Sequence, residues 1–123
     1  MGMFMKTLRM AVSVVAHYPE LSAETYDEVI ASLDLDANPP AGAILHVAGE
    51  ADGSITTAEI WQTEQTFRAY LDYRLRPALR MHGVHGEPTV EVTPLHNVYA
   101  PEIFTIERMG SVSLPAHATG ARF

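Results

Sequence analysis

The 123-residue chain has no cysteine, which excludes disulfides, thiolate catalysis and Cys-based zinc or iron–sulfur sites. Cations are scarce. Eight Lys and Arg stand against fifteen Asp and Glu, for a formal net charge of −7. The eight are scattered, so no basic face exists for a phosphate backbone and nucleic acid is not expected as a partner. No apolar run reaches the roughly 18 residues of a membrane-spanning helix. The chain also lacks a phosphate-cradling glycine motif and a nucleophile elbow. The nearest thing to a leader is MAVSVVA at 10–16, preceded by Lys6 and Arg9. His17, Tyr18 and Pro19 follow it where a cleavage site needs small residues, and Ala, Val and Ser alternate in it as in a strand. It is read as a strand, residues 1–7 as a frayed lead-in, and the protein as cytoplasmic.

What is present is an ordinary single-domain composition, 47% apolar and 19% charged, on a chain long enough to bury a core without staples. The stretch 42–79 organises it. Two apolar segments, 43–48 and 54–61, flank a 49–53 loop that ends in Asp52-Gly53, a strong hairpin turn signal. Trp61 marks the junction with a helix. Thr63 is its N-cap and Glu64 an acid in its first turn. Phe67, Tyr70, Leu71, Leu75, Ala78 and Leu79 form its apolar stripe, and Pro77 is expected to kink it or to end it at Arg76.

Around this stretch the other elements follow from pattern. A first strand over 8–17 is apolar on both faces and is expected to be central and covered on both sides. A first helix opens at the N-cap Ser22, carries Tyr26, Val29, Ile30 and Leu33 at helical spacing, and is expected to stop at Asn38-Pro39-Pro40. In the second strand Ala43, Leu45 and Val47 are placed on one face, with Ile44, His46 and Ala48 on the other. A fourth strand over 89–99 contains Pro94, which puts it at an edge or a bulge. The order β-α-β-β-α-β defines an α+β, ferredoxin-like split unit over 8–101. Residues 102–123 form an extension in which 103–106 could add a short strand.

This order, together with the hairpin, the run at Trp61, Thr63 and Phe67, and the pair Leu75 and Pro77, resembles the antibiotic biosynthesis monooxygenase-like group of the dimeric α/β-barrel superfamily. The resemblance covers roughly 8–101. It implies a homodimer in which two four-stranded sheets face each other, with the extension 102–123 a candidate to reach the partner subunit. It implies a small-molecule pocket between sheet and helices of each subunit. It also implies chemistry without a cofactor on an apolar or aromatic, polyketide-like molecule: oxidation, isomerisation or cyclisation. Trp61 matches the group's motif Trp, whereas Thr57 stands where some oxygenases have Asn, and Tyr70 near a position where many relatives have His.

Candidate catalytic residues are His46 and His96. His46 lies among apolar neighbours, and a side chain that titrates near neutrality suits proton transfer with an enolisable or phenolic substrate. The alternative is a hydrogen-bonded structural His at an interface. His96 is expected to share the pocket face of the fourth strand with Val90 and Val92. For substrate contacts the candidates are Trp61, Tyr70, Tyr26, Glu59 and Phe67. Each of these also has core packing or pairing as its simpler explanation. His82 and His85 lack a third ligand, so no metal site is assigned. The rival to an enzyme is a non-catalytic ligand-binding or structural dimer.

Overall fold

The computed structural model describes residues 10–109. The lead-in 1–7 and most of the C-terminal extension lie outside them. Four strands form one antiparallel sheet: β1 (Val12–Tyr18), β2 (Ala43–Ala51), β3 (Ser54–Trp61) and β4 (Thr89–Pro94), in the order β2-β3-β1-β4. The expected split unit is therefore present. β1 is central, as its two apolar faces require, and Pro94 does lie on an edge strand, where a missing N–H breaks no ladder.

β2 and β3 join through Asp52 and Gly53, whose φ angles of 55° and 78° are both positive. That is the type I′ requirement, and it explains the Asp-Gly pair. β3 pairs His46 with Glu59 and Ala43 with Trp61 across β2, with a bulge between Ala43 and Leu45. The bulge inserts Ile44 and moves Ala43 to the same side as His46. This corrects the simple alternation, which had put Ala43 with Leu45 and Val47.

Helices cover one face only. α1 (Ala23–Leu33) starts at Ser22, whose hydroxyl accepts from the Thr25 N–H at 3.1 Å. It ends at Asp34, in the left-handed region at φ 51°, several residues before the prolines expected to stop it. Arg74 Nη2 donates to the Leu33 carbonyl there at 3.1 Å, satisfying one of the helix's orphan acceptors. Residues 35–42 are thereby freed to run as a connection across the end of the sheet.

α2 (Glu64–Tyr70) is capped by Thr63, which accepts from the Thr66 N–H at 3.1 Å. It continues without a break through a π-turn (Leu71–Leu75) into α3 (Arg76–Met81). Pro77 has no N–H and its ring crowds the carbonyl four residues back. The chain answers with a wider turn, in which the Arg76 N–H bonds the Leu71 carbonyl, rather than with a kink. All six stripe residues, from Phe67 to Leu79, are buried. They pack with Val12, Val14, Ala16, Tyr18, Leu21, Val29 and Ile55 into one core.

Two expectations at the C-terminal side are corrected. β4 ends at Pro94 rather than at 99, and residues 103–106 belong to a short helix, α4 (Ile103–Arg108), rather than a strand. The Leu95 N–H still bonds the Ala11 carbonyl at 2.9 Å, after which the chain leaves the sheet.

Candidate functional site

The helix-facing side of β3 carries Ile55, Thr57, Glu59 and Trp61, all buried. Glu59 is the exception in chemistry: a carboxylate only 5% exposed, which must be paired to be tolerated. It is paired twice. Trp61 Nε1–H donates to Oε1 at 2.8 Å, and His46 Nδ1 lies 2.5 Å from Oε2. Cross-strand pairing of His46 with Glu59 sets the second contact, and the two-residue spacing on one strand face sets the first.

The chain of bonds extends one step further. Tyr26 Oη lies 2.6 Å from His46 Nε2. Burial pushes the Tyr26 phenol above tyrosine's ordinary value, and the charge of Glu59 adds to this, so the phenol keeps its proton. With the imidazole neutral, it donates to Nε2 and Nδ1–H donates to Glu59. Trp61 can only donate, so Oε1 accepts from it. Tyr26, His46, Glu59 and Trp61 form a single polarised network in which every member is satisfied.

His46, Glu59 and Trp61 of this network line a cavity of about 240 Å³. Trp61 and Tyr70 give it aromatic surface, their rings 5.3 Å apart. Pro39, Pro40 and Ile44 form its rim. The rim is held by Gly42, at φ 84°, where a Cβ would come within 2.3 Å of Thr66 Oγ1. Only glycine fits that approach. Across the imidazole lies a tight cleft of about 10 Å³, bounded by Tyr18, Tyr26 and Tyr70 among others. The phenols of Tyr18 and Tyr70 are raised like that of Tyr26, by burial first and then by Glu59.

A solved monooxygenase of Streptomyces coelicolor, from the gene ActVA-Orf6 in complex with nanaomycin D, is similar to this chain. It matches with a TM-score of 0.53 and 19% identity, over 76% of this chain and 95% of its own. SnoaB, a cofactor-independent oxygenase from Streptomyces nogalater, matches with a TM-score of 0.54 and 16% identity, over 76% and 99%. A Caulobacter crescentus protein described as a candidate antibiotic biosynthesis monooxygenase matches with 0.55 and 16%, over 79% and 100%. The fold is that of the antibiotic biosynthesis monooxygenase-like proteins. No protein-family model and no curated protein matches the sequence.

On this monooxygenase-like fold the expected site residues divide. His46, Glu59, Trp61 and Tyr70 meet at the cavity. Tyr26 reaches the network but lines only the cleft behind it. Phe67 does not line the cavity. It is 1% exposed and packs edge-on against Trp61 at 5.7 Å, a core residue that fixes the indole from behind. His96 lies two residues past the end of β4, is exposed, and does not line the cavity. Glu59 lines the cavity, and each of its oxygens already has one partner inside the protein. Among the described residues no three His, Asp or Glu side chains converge as metal ligands, and no helix is long and apolar enough to cross a membrane.

Sequence reading missed the rim. Pro39 and Pro40 are more than a helix stop: two consecutive prolines just before a strand are also a rigid apolar edge. The Tyr26–His46 bond spans twenty positions and leaves no local signal at all.

Proposed function

We propose that the protein binds a small apolar or aromatic molecule in the 240 Å³ cavity and acts on it without a resident cofactor, with His46 exchanging the proton. The observation that carries this reading is the Tyr26–His46–Glu59–Trp61 network, three of whose members, His46, Glu59 and Trp61, line the cavity. A glutamate on Nδ1 fixes the imidazole and stabilises the imidazolium formed when Nε2 takes a proton. Deprotonation of a phenol or enol leaves an electron-rich anion against Trp61 and Tyr70. That anion can isomerise or cyclise with no further reagent, or react with dioxygen as the oxidant. The oxygenases that share this fold, one of them cofactor-independent and another with a bound ligand, support that class of chemistry. The size supports a compact substrate. A cavity of about 150 Å³ holds one benzene ring, so 240 Å³ suits one or two fused rings.

The reading includes a homodimer. The sheet's other face carries Val15, Leu45, Val47, Ala58 and Ile60, a mostly apolar surface that a second copy of the chain would cover.

One observation favours a binding protein instead. Every polar atom of the network already has a partner, as in a purely structural buried cluster. The two are separated by offering one- and two-ring hydroxyarenes and 1,3-diketones in air. The protein's single tryptophan is a wall of the cavity, so its indole N–H resonance should shift saturably with a ligand. An enzyme also releases product or consumes dioxygen, and His46→Ala abolishes this. Saturable shifts with no conversion would make it a binder. A flat response to the whole panel would end the small-molecule reading.

A further inference from the structure

The proton-accepting nitrogen of His46 is not free. Nδ1 is committed to Glu59 and Nε2 to the Tyr26 hydroxyl, at 2.5 and 2.6 Å. A base without an open lone pair takes no proton from a ligand. The tyrosine and imidazole planes differ by only 6° with ring centres 6.0 Å apart. With the Oη–Nε2 contact this short, the two rings lie nearly end to end. The phenol O–H thus meets the nitrogen lone pair close to the imidazole plane, where that lone pair points.

We propose that Tyr26 is an internal stand-in for the ligand: it caps His46 Nε2 with a phenol, and the molecule that binds productively is itself a phenol or an enol that replaces it there. This rests on reading the cavity as a site for a phenol or enol and adds to that reading the residue that gates it. Tyr26, half-buried on α1, lines the small cleft and not the cavity, and His46 lines both. A flat hydroxylated ring entering over Trp61 and Tyr70 competes for the same nitrogen. A ligand with no hydroxyl has nothing to offer in exchange for the lost bond, and leaves Tyr26 in place. Specificity arises because a site built around one hydrogen bond rejects molecules that do not make it.

When the ligand hydroxyl takes over, its proton moves to Nε2. The O–H bond breaks, an N–H bond forms, and the imidazolium stays paired with Glu59 while the ligand becomes a phenolate or enolate. On protonation of the anion, or on its conversion, Nε2 gives its proton up and Tyr26 returns. The capped state keeps the buried His–Glu pair from facing an empty cavity, where its second nitrogen would lack a partner.

The test compares 2-naphthol with naphthalene, two-ring molecules that differ by one hydroxyl, by NMR titration of the wild-type protein and Tyr26→Phe. Phenylalanine keeps the ring and removes the cap. Affinity for 2-naphthol should rise about tenfold in Tyr26→Phe, the factor that one hydrogen bond of about 1.4 kcal/mol represents, while that for naphthalene stays unchanged. If both ligands bind but 2-naphthol gains nothing, or binds less well, Tyr26 is not a competitor and this proposal alone falls. If neither ligand binds either protein, the small-molecule reading falls and takes the proposal with it. A second measurement needs no variant. The His46 imidazole nitrogen resonances of the wild-type protein should report a protonated Nδ1 and a bare, hydrogen-bonded Nε2. The opposite tautomer would overturn the proposal by itself.

Discussion

The two faces of the sheet are made from the same four strands and have opposite fates. On the helix side Val14 and Ala16 are 0% and 1% exposed, and Ile55 and Trp61 are 3% exposed. On the other side Val15 and Val47 are 44% and 53% exposed. The difference does not come from hydrophobicity, since valine is found on both. It comes from what lies opposite. The helix side also holds the chain's one buried glutamate, which survives because two donors reach it. Among the described residues the open side has no comparable network. It carries Ser13, His17, Thr56, Thr89, Glu91 and Thr93 around its apolar centre, and His17 bonds Thr56. One face is built to hold itself together and to hold a ligand. The other is suited to meeting something.

The largest effect is expected from breaking the covered face where the site and the core share a residue. Phe67 is 1% exposed and braces Trp61. Truncation to Ala removes a whole ring from a close-packed layer and should cost about 3–5 kcal/mol, measured by urea unfolding. Because the indole loses its backing, the Trp61 N–H resonance should also broaden or move. A loss below about 1 kcal/mol would mean the layer collapses easily around the gap and that Phe67 does not fix the indole.

A smaller, pH-driven effect separates the faces without a mutation. Tyr18, Tyr26 and Tyr70 all lie on the covered side, with phenols raised above their ordinary value by burial and by Glu59. A phenol raised in this way holds its proton more tightly in the folded chain than in the unfolded one. Its contribution is therefore complete below the unfolded value of about 10 and is lost as pH climbs beyond it. Stability should be flat across neutral pH and fall above pH about 10. These three phenols should ionise together with unfolding, seen as one cooperative step in both tyrosinate absorbance and circular dichroism. Gradual ionisation of all five tyrosines in a folded protein would contradict their burial.

What was legible in the sequence divides along physical lines. The hairpin turn, both N-caps, the bounds of β3 and the six-residue stripe of α2 and α3 are local: each follows from a few residues and a period, and each is present. His46, Glu59, Trp61 and Tyr70 could be nominated because period-2 alternation and the helical stripe place them toward one layer. Failures appear where a single residue outweighs a pattern. β4 ends at Pro94, and His96 lies beyond it and outside the lining of the cavity. Asp34 ends α1 in a left-handed turn well before the prolines, and those prolines become the rim of the cavity instead. A bulge at Ile44 shifts the alternation of β2. The last failure is of another kind. That Glu59 would be saturated by His46 and Trp61, and His46 by Tyr26, depends on how three elements pack together, and no spacing encodes it.

The smallest effect on the fold is the one most useful for the open face. Val15 sits mid-strand on β1, beside Ala58 of β3 and Glu91 of β4, and its side chain points away from the core. Val15→Lys removes no buried contact of the single chain, and an exposed substitution of this kind should stay within about 0.5 kcal/mol. In a homodimer that pairs these faces, the same lysine would sit near the centre of an apolar interface, where desolvating an ammonium is costly even beside Glu91. Sedimentation of the wild-type protein should then show a dimer and Val15→Lys a folded monomer with an unchanged circular dichroism spectrum. The cavity lies on the opposite side of the sheet, so a ligand that shifts the Trp61 resonance should still do so in the monomer. If the variant is as dimeric as the wild type, the chain associates through another surface and the open face must be explained differently. If it unfolds, the two faces are not independent, and the sheet needs its second cover to be stable at all.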